Sequence, residues 1–232
     1  MPYETIKAKD GSGDFNAYVA LPASEAPVAA IILIQEIFGV NTELRKKCDL
    51  WAERGYIAIA PDLFWRQEPG VDITDQSEKE WEKAFSLYQG FDHDKGIEDL
   101  TATLGHIRAH ALCNGKVGTI GYCLGGNLAY QMACKTNINA SISYYGVGIQ
   151  DLLEEAQGIN KPLLMHIATQ DEFVPPEAQK AIKEALSGNE HVTIYDYGAN
   201  HAFTRLNGVH FDENAAKVAN NHSLDFIQGY LS

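Results

Sequence analysis

The sequence predicts an α/β fold on a mainly parallel, doubly wound sheet with helices on both faces. Three observations carry that expectation. Apolar runs of strand length alternate with longer amphipathic runs along most of the chain, the pattern of successive strand-helix-strand units. Val28 to Gln35 is almost continuously apolar, as a strand covered on both faces must be. Between Lys116 and Met132 a β-branched run, a glycine-flanked cysteine and a helix-forming run follow one another without a spacer.

Taken in order, residues 3–8 and 14–21 read as two strands joined by a turn at Asp10 to Gly13. The strand at Val28 to Gln35 runs into Glu36, Ile37, Phe38 and Gly39. A carboxylate directly after such a strand falls at the carboxyl edge of the sheet, where open α/β sheets bind ligands, so Glu36 is a candidate site residue or else a surface acid. Leu44, Cys48, Trp51 and Ala52 recur at helical spacing, which predicts a helix over 42–54 with Cys48 on its core face and Gly55 as its stop. Tyr56 to Ala60 reads as the next strand, ended by Pro61 and Asp62. From Asp62 to Asp75 there is no periodicity, but Phe64 and Trp65 are present, and Trp81, Ala84, Phe85 and Tyr88 line one face of the helix that follows. A crossover of that length commonly folds over a site, so its aromatics either wall a small pocket or pack as ordinary core. Ile97, Leu100, Leu104, Ile107 and Ala111 mark another core-facing helix running toward Asn114, with Cys113 near its end. His106 and His110 share a face of it, but position 107 is not glutamate and no third ligand is evident, so they read as surface histidines.

Val117, Thr119 and Ile120 suit a strand and Leu124 to Met132 a helix that starts at once. So abrupt a reversal pushes its apex, Cys123, into a strained backbone with the side chain presented outward, and Gly121 and Gly125 are the small neighbours that let strand and helix approach. That is a nucleophile elbow with cysteine at the apex; the competing reading is a buried cysteine acting as a small hydrophobe. Beyond it, Ala140 to Tyr145 is a strand with Tyr144 and Tyr145 at its edge, one of them expected to face the site. A short helix at 150–157 precedes a buried strand at Pro162 to Ala168, in which His166 reads as a satisfied core histidine. That strand leads to Asp171, with Glu172 as the rival acid; then come a helix from Pro176 to about Leu186, a strand at His191 to Tyr195, His201, and a final helix near Glu213 to Tyr230.

The 232 residues suffice for one large domain, 1–232, and 45% hydrophobic with 21% charged residues is ordinary for a globular chain. Eighteen basic residues against 31 acidic give a net charge of −13, which argues against nucleic acid as a partner and makes any arginine near the site informative, Arg205 above all. No stretch has the length of a membrane span, no secretory leader is evident, and four cysteines without a CxxC pair fit a reducing cytosol. The expected protein is therefore cytoplasmic, off the membrane and monomeric, with a small-molecule substrate.

Three strands end in Cys123, Asp171 and His201, and nucleophile, acid, histidine is the chain order of an α/β-hydrolase. An isolated thiol, with a pKa near ~8.5, is only a few per cent thiolate at neutral pH and needs a base. His201 supplies it, and Asp171 holds the imidazole's tautomer. The Leu124 N–H follows from elbow geometry as one oxyanion donor, and Ile37, in the loop after the earlier strand, supplies the other.

These stretches resemble the dienelactone hydrolase (carboxymethylenebutenolidase) family, which opens an unsaturated lactone ring in chloroaromatic breakdown. The resemblance covers QEIFGVN at Gln35 to Asn41, PDLFWRQ at Pro61 to Gln67, GKVGTIGYCLGG at Gly115 to Gly126, YYGVG at Tyr144 to Gly148, QDEFVP at Gln170 to Pro175 and NHAFTR at Asn200 to Arg205. It implies the triad Cys123, Asp171 and His201, without cofactor or metal. It also implies that Glu36 takes the thiol proton when an anionic substrate binds, and that Arg205 contacts the substrate carboxylate. A second carboxylate-binding arginine of the family aligns with Trp81, a departure for which Arg66 or Lys83 is the candidate compensation; Phe85 and Tyr88 fall where the family has pocket aromatics, and Trp81, Phe38 and Tyr145 are further candidates for substrate contact. The implied activity is hydrolysis of a dienelactone or related carboxylate-bearing lactone through an acyl-enzyme. The alternatives are hydrolysis of another small ester or thioester, a redox-sensing thiol, and a non-catalytic binding protein.

Overall fold

Eight strands and six α-helices form along the chain, most of them within a residue or two of the expected bounds, in a computed structural model that describes residues 2–231. Cα packing divides the chain into two units, Met1–Val117 and Gly118–Ser232.

In the first unit, β1 (Tyr3–Lys7), β2 (Asp14–Ala20), β3 (Val28–Ile34) and β4 (Ile57–Pro61) lie in the order β1-β2-β4-β3. The opening hairpin is antiparallel and β2 pairs antiparallel with β4, whereas β3 and β4 are parallel, with Ile31 opposite Ala58. Every residue from Ala30 to Ile34 is fully buried, which explains the unbroken apolar run. Helix α1 (Thr42–Glu53) is capped by Asn41, whose side chain accepts from the Leu44 N–H at 3.0 Å, and it buries Leu44, Cys48, Trp51 and Ala52 as their spacing requires. Helix α2 (Glu78–Gln89) is capped by Ser77, whose hydroxyl accepts from the Glu80 N–H and donates to the Glu80 carboxylate. Its buried face is Ala84 and Leu87, and Phe85 is 40% exposed, so the expected aromatic stripe is not a core stripe. Helix α3 (His93–Arg108) buries Leu100, Leu104 and Ile107. His106 lies against the Glu4 carboxylate at 2.6 Å and His110, past the helix end, accepts from the Leu112 N–H; no three His, Cys, Asp or Glu side chains converge for a metal among the described residues. Because α3 stops at Arg108, Cys113 begins the next strand rather than ending the helix.

That strand, β5 (Cys113–Tyr122), crosses the division and opens the second unit, where β6 (Ala140–Tyr144), β7 (Leu163–Ala168) and β8 (Val192–Tyr197) follow in the order β5-β6-β7-β8, every pair parallel. Between them come α4 (Leu124–Lys135), a 3-10 helix (Ile149–Gly158) kinked at Leu152, α5 (Pro176–Leu186) and, last, α6 (Glu213–Leu231). Alternation along β7 builds the two layers. Leu163, Met165 and Ile167 pack with Tyr130 of α4 and with Ala178 and Ile182 of α5. His166 points the opposite way, its Nδ1 at 2.8 Å from the Tyr197 hydroxyl and its Nε2 at 2.9 Å from the Ser223 hydroxyl on α6. Burial, with His222 nearby, lowers its pKa to about 3, so His166 is a neutral, hydrogen-bonded core residue. Among the described residues, no helix is long and apolar enough to cross a membrane.

Candidate active site

Cys123 stands alone between the last residue of β5 and the first of α4, with φ 55° and ψ −114°. A non-glycine residue is strained there, and what holds it is main-chain bonding and close approach. Its N–H donates to the Tyr144 carbonyl at 3.1 Å, and its carbonyl accepts from the Gly126 and Asn127 N–H groups at 2.9 and 3.2 Å. A Cβ on Gly121 would run into the Gly125 carbonyl, and one on Gly126 would crowd the Tyr144 carbonyl, so both glycines are needed for the elbow to close. The side chain therefore sits at the N-terminus of a 12-residue helix, beside the Leu124 N–H, where the helix dipole favours negative charge.

His201 lies on the turn after β8, almost completely buried, with Nδ1 at 2.7 Å from Oδ2 of Asp171. The other oxygen of Asp171 accepts from the Phe173 N–H at 2.8 Å. With Nδ1 committed to Asp171, His201 is hydrogen-bonded to the Cys123 side chain as well. Burial pushes the His201 pKa down. It is outweighed by negative charge on Cys123, by the hydrogen bonds to Asp171 and Cys123 and by the Asp171 charge, which together raise it to about 10. Two rings grip the imidazole edge-on, Tyr145 at 5.0 Å and Phe173 at 4.9 Å between centroids. Glu172, the rival acid, is exposed. By contrast, burial pushes the Cys48 thiol up strongly and that of Cys134 to about 12, which leaves both unreactive.

Arg205 ends the turn that His201 begins and is 8% exposed; its N–H donates to the Ala202 carbonyl at 2.9 Å. Tyr145 is buried with its hydroxyl 2.8 Å from that of Thr204.

The remaining candidates belong to the first unit. Glu36, half-buried, and Ile37 and Phe38, both buried, form the loop after β3. That loop is fastened on both sides. The fully buried Gln35 accepts from the Leu63 N–H at 3.1 Å, and the Phe38 carbonyl accepts from the Ile73 N–H at 3.2 Å. Gly39, at φ 77°, bridges to Asp72, and Arg45 joins the Val40 carbonyl to the Asp72 carboxylate. Trp81 donates its indole N–H to the Asp75 carbonyl and packs between Phe38 at 5.1 Å and Phe85 at 5.4 Å, while Tyr88 is half-buried one turn on. Both candidate compensations, Arg66 and Lys83, already have acidic partners. Arg66 makes two bonds to the buried Asp99 and one to Asp10 and lies over Trp65, and Lys83 pairs with Glu68 at 2.6 Å.

Phe173 and Gln35 carry no site role in the reading of the sequence. Their signals are an aromatic two residues after the candidate acid and a polar residue closing an otherwise apolar strand.

A strained elbow cysteine, followed in chain order by an aspartate and a histidine in the loops after parallel strands, defines an α/β-hydrolase. The chain belongs to the dienelactone hydrolase family, whose family model matches residues 15–231 and so spans both units. It is 46% identical to a protein of Azospirillum brasilense described as "Putative carboxymethylenebutenolidase", with 98% of each chain covered. It is 38% identical to the carboxymethylenebutenolidase of Pseudomonas putida, over 96% of this chain and 94% of that one. The crystal structure of a "Putative Dienelactone Hydrolase" from Klebsiella pneumoniae superposes with a TM-score of 0.85 at 25% identity, covering 98% of both chains.

Proposed function

We propose that the protein hydrolyses a dienelactone, or a related lactone bearing a carboxylate, through an acyl-enzyme on Cys123. The observation that carries the reading is the hydrogen-bonded series from Cys123 through His201 to Asp171, on an elbow of an enzyme of this family. The Cys123 thiolate adds to the lactone carbonyl and forms a C–S bond, and the carbonyl oxygen takes the negative charge toward the Leu124 N–H. Collapse breaks the ring C–O bond and expels an enolate that stays tethered to the acyl group and takes the proton carried by the His201 imidazolium, leaving His201 neutral. His201 then takes a proton from water as that water attacks the thioester, and the C–S bond breaks to return the thiolate. Asp171 steadies the imidazolium through Nδ1.

The same reading assigns Ile37 as the second oxyanion donor, Glu36 as the group that takes the thiol proton, and Arg205 as the cation for the substrate carboxylate. With Arg66 held by the buried Asp99 and Lys83 paired with Glu68 on the surface, this reading gives recognition of the anion to Arg205. The aromatic series of Phe38, Trp81 and Phe85, with Tyr88 beside it, would favour a flat, conjugated substrate. A nucleophile that must stay a free thiol suits the cytosol, and a product of aromatic-ring breakdown suits the substrate chemistry.

The test is steady-state opening of cis- and trans-dienelactone, followed by loss of ultraviolet absorbance, beside hydrolysis of a neutral aryl ester, for wild type and Cys123→Ser. Lactone opening well above the neutral ester, lost in Cys123→Ser, is expected. An equal or reversed preference would leave an ester hydrolase and remove the lactone assignment.

A further inference from the structure

Among the described residues, three that are not glycine have a left-handed backbone: Cys123 at φ 55°, Tyr145 at 39° and Ala202 at 58°. All three belong to the second unit and surround the His201 imidazole, either in sequence or by contact. Strain of this kind persists only where the surroundings over-determine the backbone, so the bonds that hold these residues are informative.

The residue that connects them is Tyr145. Its neighbour Tyr144 provides the carbonyl that accepts the Cys123 N–H, and the Tyr145 N–H itself donates to the His166 carbonyl at 2.9 Å. Its ring meets His201 edge-on at 5.0 Å and Phe203 at 5.6 Å. Its hydroxyl is 2.8 Å from that of Thr204, and both residues are buried, at 3% and 4% exposure, where water does not compete for the bond. Thr204 lies three residues after His201 and one before Arg205. This hydroxyl pair, with the ring contacts, therefore ties the turn that carries the imidazole to the segment that holds the nucleophile's backbone.

We propose that the hydrogen bond between Tyr145 and Thr204 is a brace that positions His201 against Cys123 and aims Arg205. Thr204 is then a positioning residue, and Tyr145, expected from the sequence to touch substrate, acts chiefly through His201. The inference rests on the reading of Cys123 and His201 as nucleophile and base. Its chemical content is geometric: a base displaced by about 1 Å from the reacting group can lose about 100-fold in rate.

Four variants test it: Thr204→Val, which keeps the shape and removes the hydroxyl; Thr204→Ser, which restores the hydroxyl; Tyr145→Phe; and the pair Tyr145→Phe with Thr204→Val. Two readouts are needed. One is kcat and KM on dienelactone and on a neutral aryl ester. The other, which needs no turnover, is the rate at which iodoacetamide alkylates Cys123 at about pH 6, followed on its own peptide by mass spectrometry. Thr204→Val and Tyr145→Phe should each lower kcat on both esters by roughly 10- to 100-fold, and raise KM for the anionic lactone only. The double variant should lose clearly less than the product of the two single losses, because both remove the same bond. Thr204→Ser should recover to within about threefold of wild type, and alkylation should slow and recover in parallel. The brace is overturned by wild-type turnover and alkylation in Thr204→Val, by losses that multiply in the double variant, or by Thr204→Ser being as impaired as Thr204→Val. A wild type that opens neither ester would remove the hydrolase reading, while the alkylation series still decides the brace.

Discussion

Replacing Asp171 by Asn separates the charge of the acid from its place in the fold. The asparagine oxygen can keep the 2.8 Å bond from the Phe173 N–H, so the loop is retained, but the group facing Nδ1 of His201 becomes an amide N–H₂ that cannot accept a proton from it. The bond removed is charge-assisted, 2.7 Å long and buried, and a bond of that kind contributes about 1.5–3 kcal/mol net. At about 1.4 kcal/mol per factor of ten, kcat/KM should fall by roughly 10- to 150-fold. The hydrogen bond and charge of Asp171 are also among the influences that hold His201 up at about 10, so the pH at which His201 loses its proton should move down in the variant. The assay is kcat/KM on the neutral aryl ester across pH, with a circular dichroism melt to establish folding and Glu172→Gln as the comparison. Glu172 is exposed, and its substitution should leave kcat/KM within about twofold. An Asp171→Asn enzyme with more than half of wild-type activity, or a Glu172→Gln enzyme equally impaired, would refute the assignment of the acid.

Gly121→Ala would drive a methyl group into the Gly125 carbonyl, and thermal unfolding should show the elbow destabilised by about 3 kcal/mol or more; an unchanged melting temperature would mean the turn is not closed this tightly. Stability against urea should peak near pH 6.5. His201, raised to about 10, contributes stability that is complete below about pH 6.5 and lost as pH climbs toward 10, whereas His166, lowered to about 3, contributes stability present above about 6.5 and lost as pH falls toward 3. His166→Gln should flatten the acid limb, and a stability that rises steadily from about pH 4 to 9 would contradict the pairing. Arg66→Ala leaves the buried Asp99 carboxylate without its guanidinium and should cost about 3 kcal/mol in a denaturation experiment with KM for dienelactone unchanged; a raised KM at unchanged stability would return Arg66 to the substrate.

Residues whose environment follows from local pattern are legible in the sequence itself. The strand at Val28–Ile34 stands out because both its faces are covered, and the elbow because only small residues permit so close a strand-helix reversal. His166 is legible as core because a histidine inside an apolar strand must be neutral and bonded, as it is to Tyr197 and Ser223. Pairings set by distant segments have no such signature. Arg66 reads as open to a substrate, yet Asp99, 33 residues away, holds it. The stripe through Trp81, Phe85 and Tyr88 has helical spacing, but spacing does not say which part of a face is covered, and Phe85 is outside the buried part. Strand β8 runs on to Tyr197 because its hydrogen-bond partner on β7 continues to Ala168, which the mixed Tyr195 to Tyr197 stretch does not advertise. The Tyr145–Thr204 bond joins residues 59 apart and has no local signature at all.

The mechanism depends on Cys123 carrying the acyl group. Rapid quenching of the enzyme with p-nitrophenyl acetate, followed by mass spectrometry of the peptide that holds Cys123, measures this directly. A burst of nitrophenolate matched by one acetyl group on Cys123 is the expected result, with neither in Cys123→Ala. Sustained turnover with no adduct on Cys123, or turnover that survives Cys123→Ala, would contradict it.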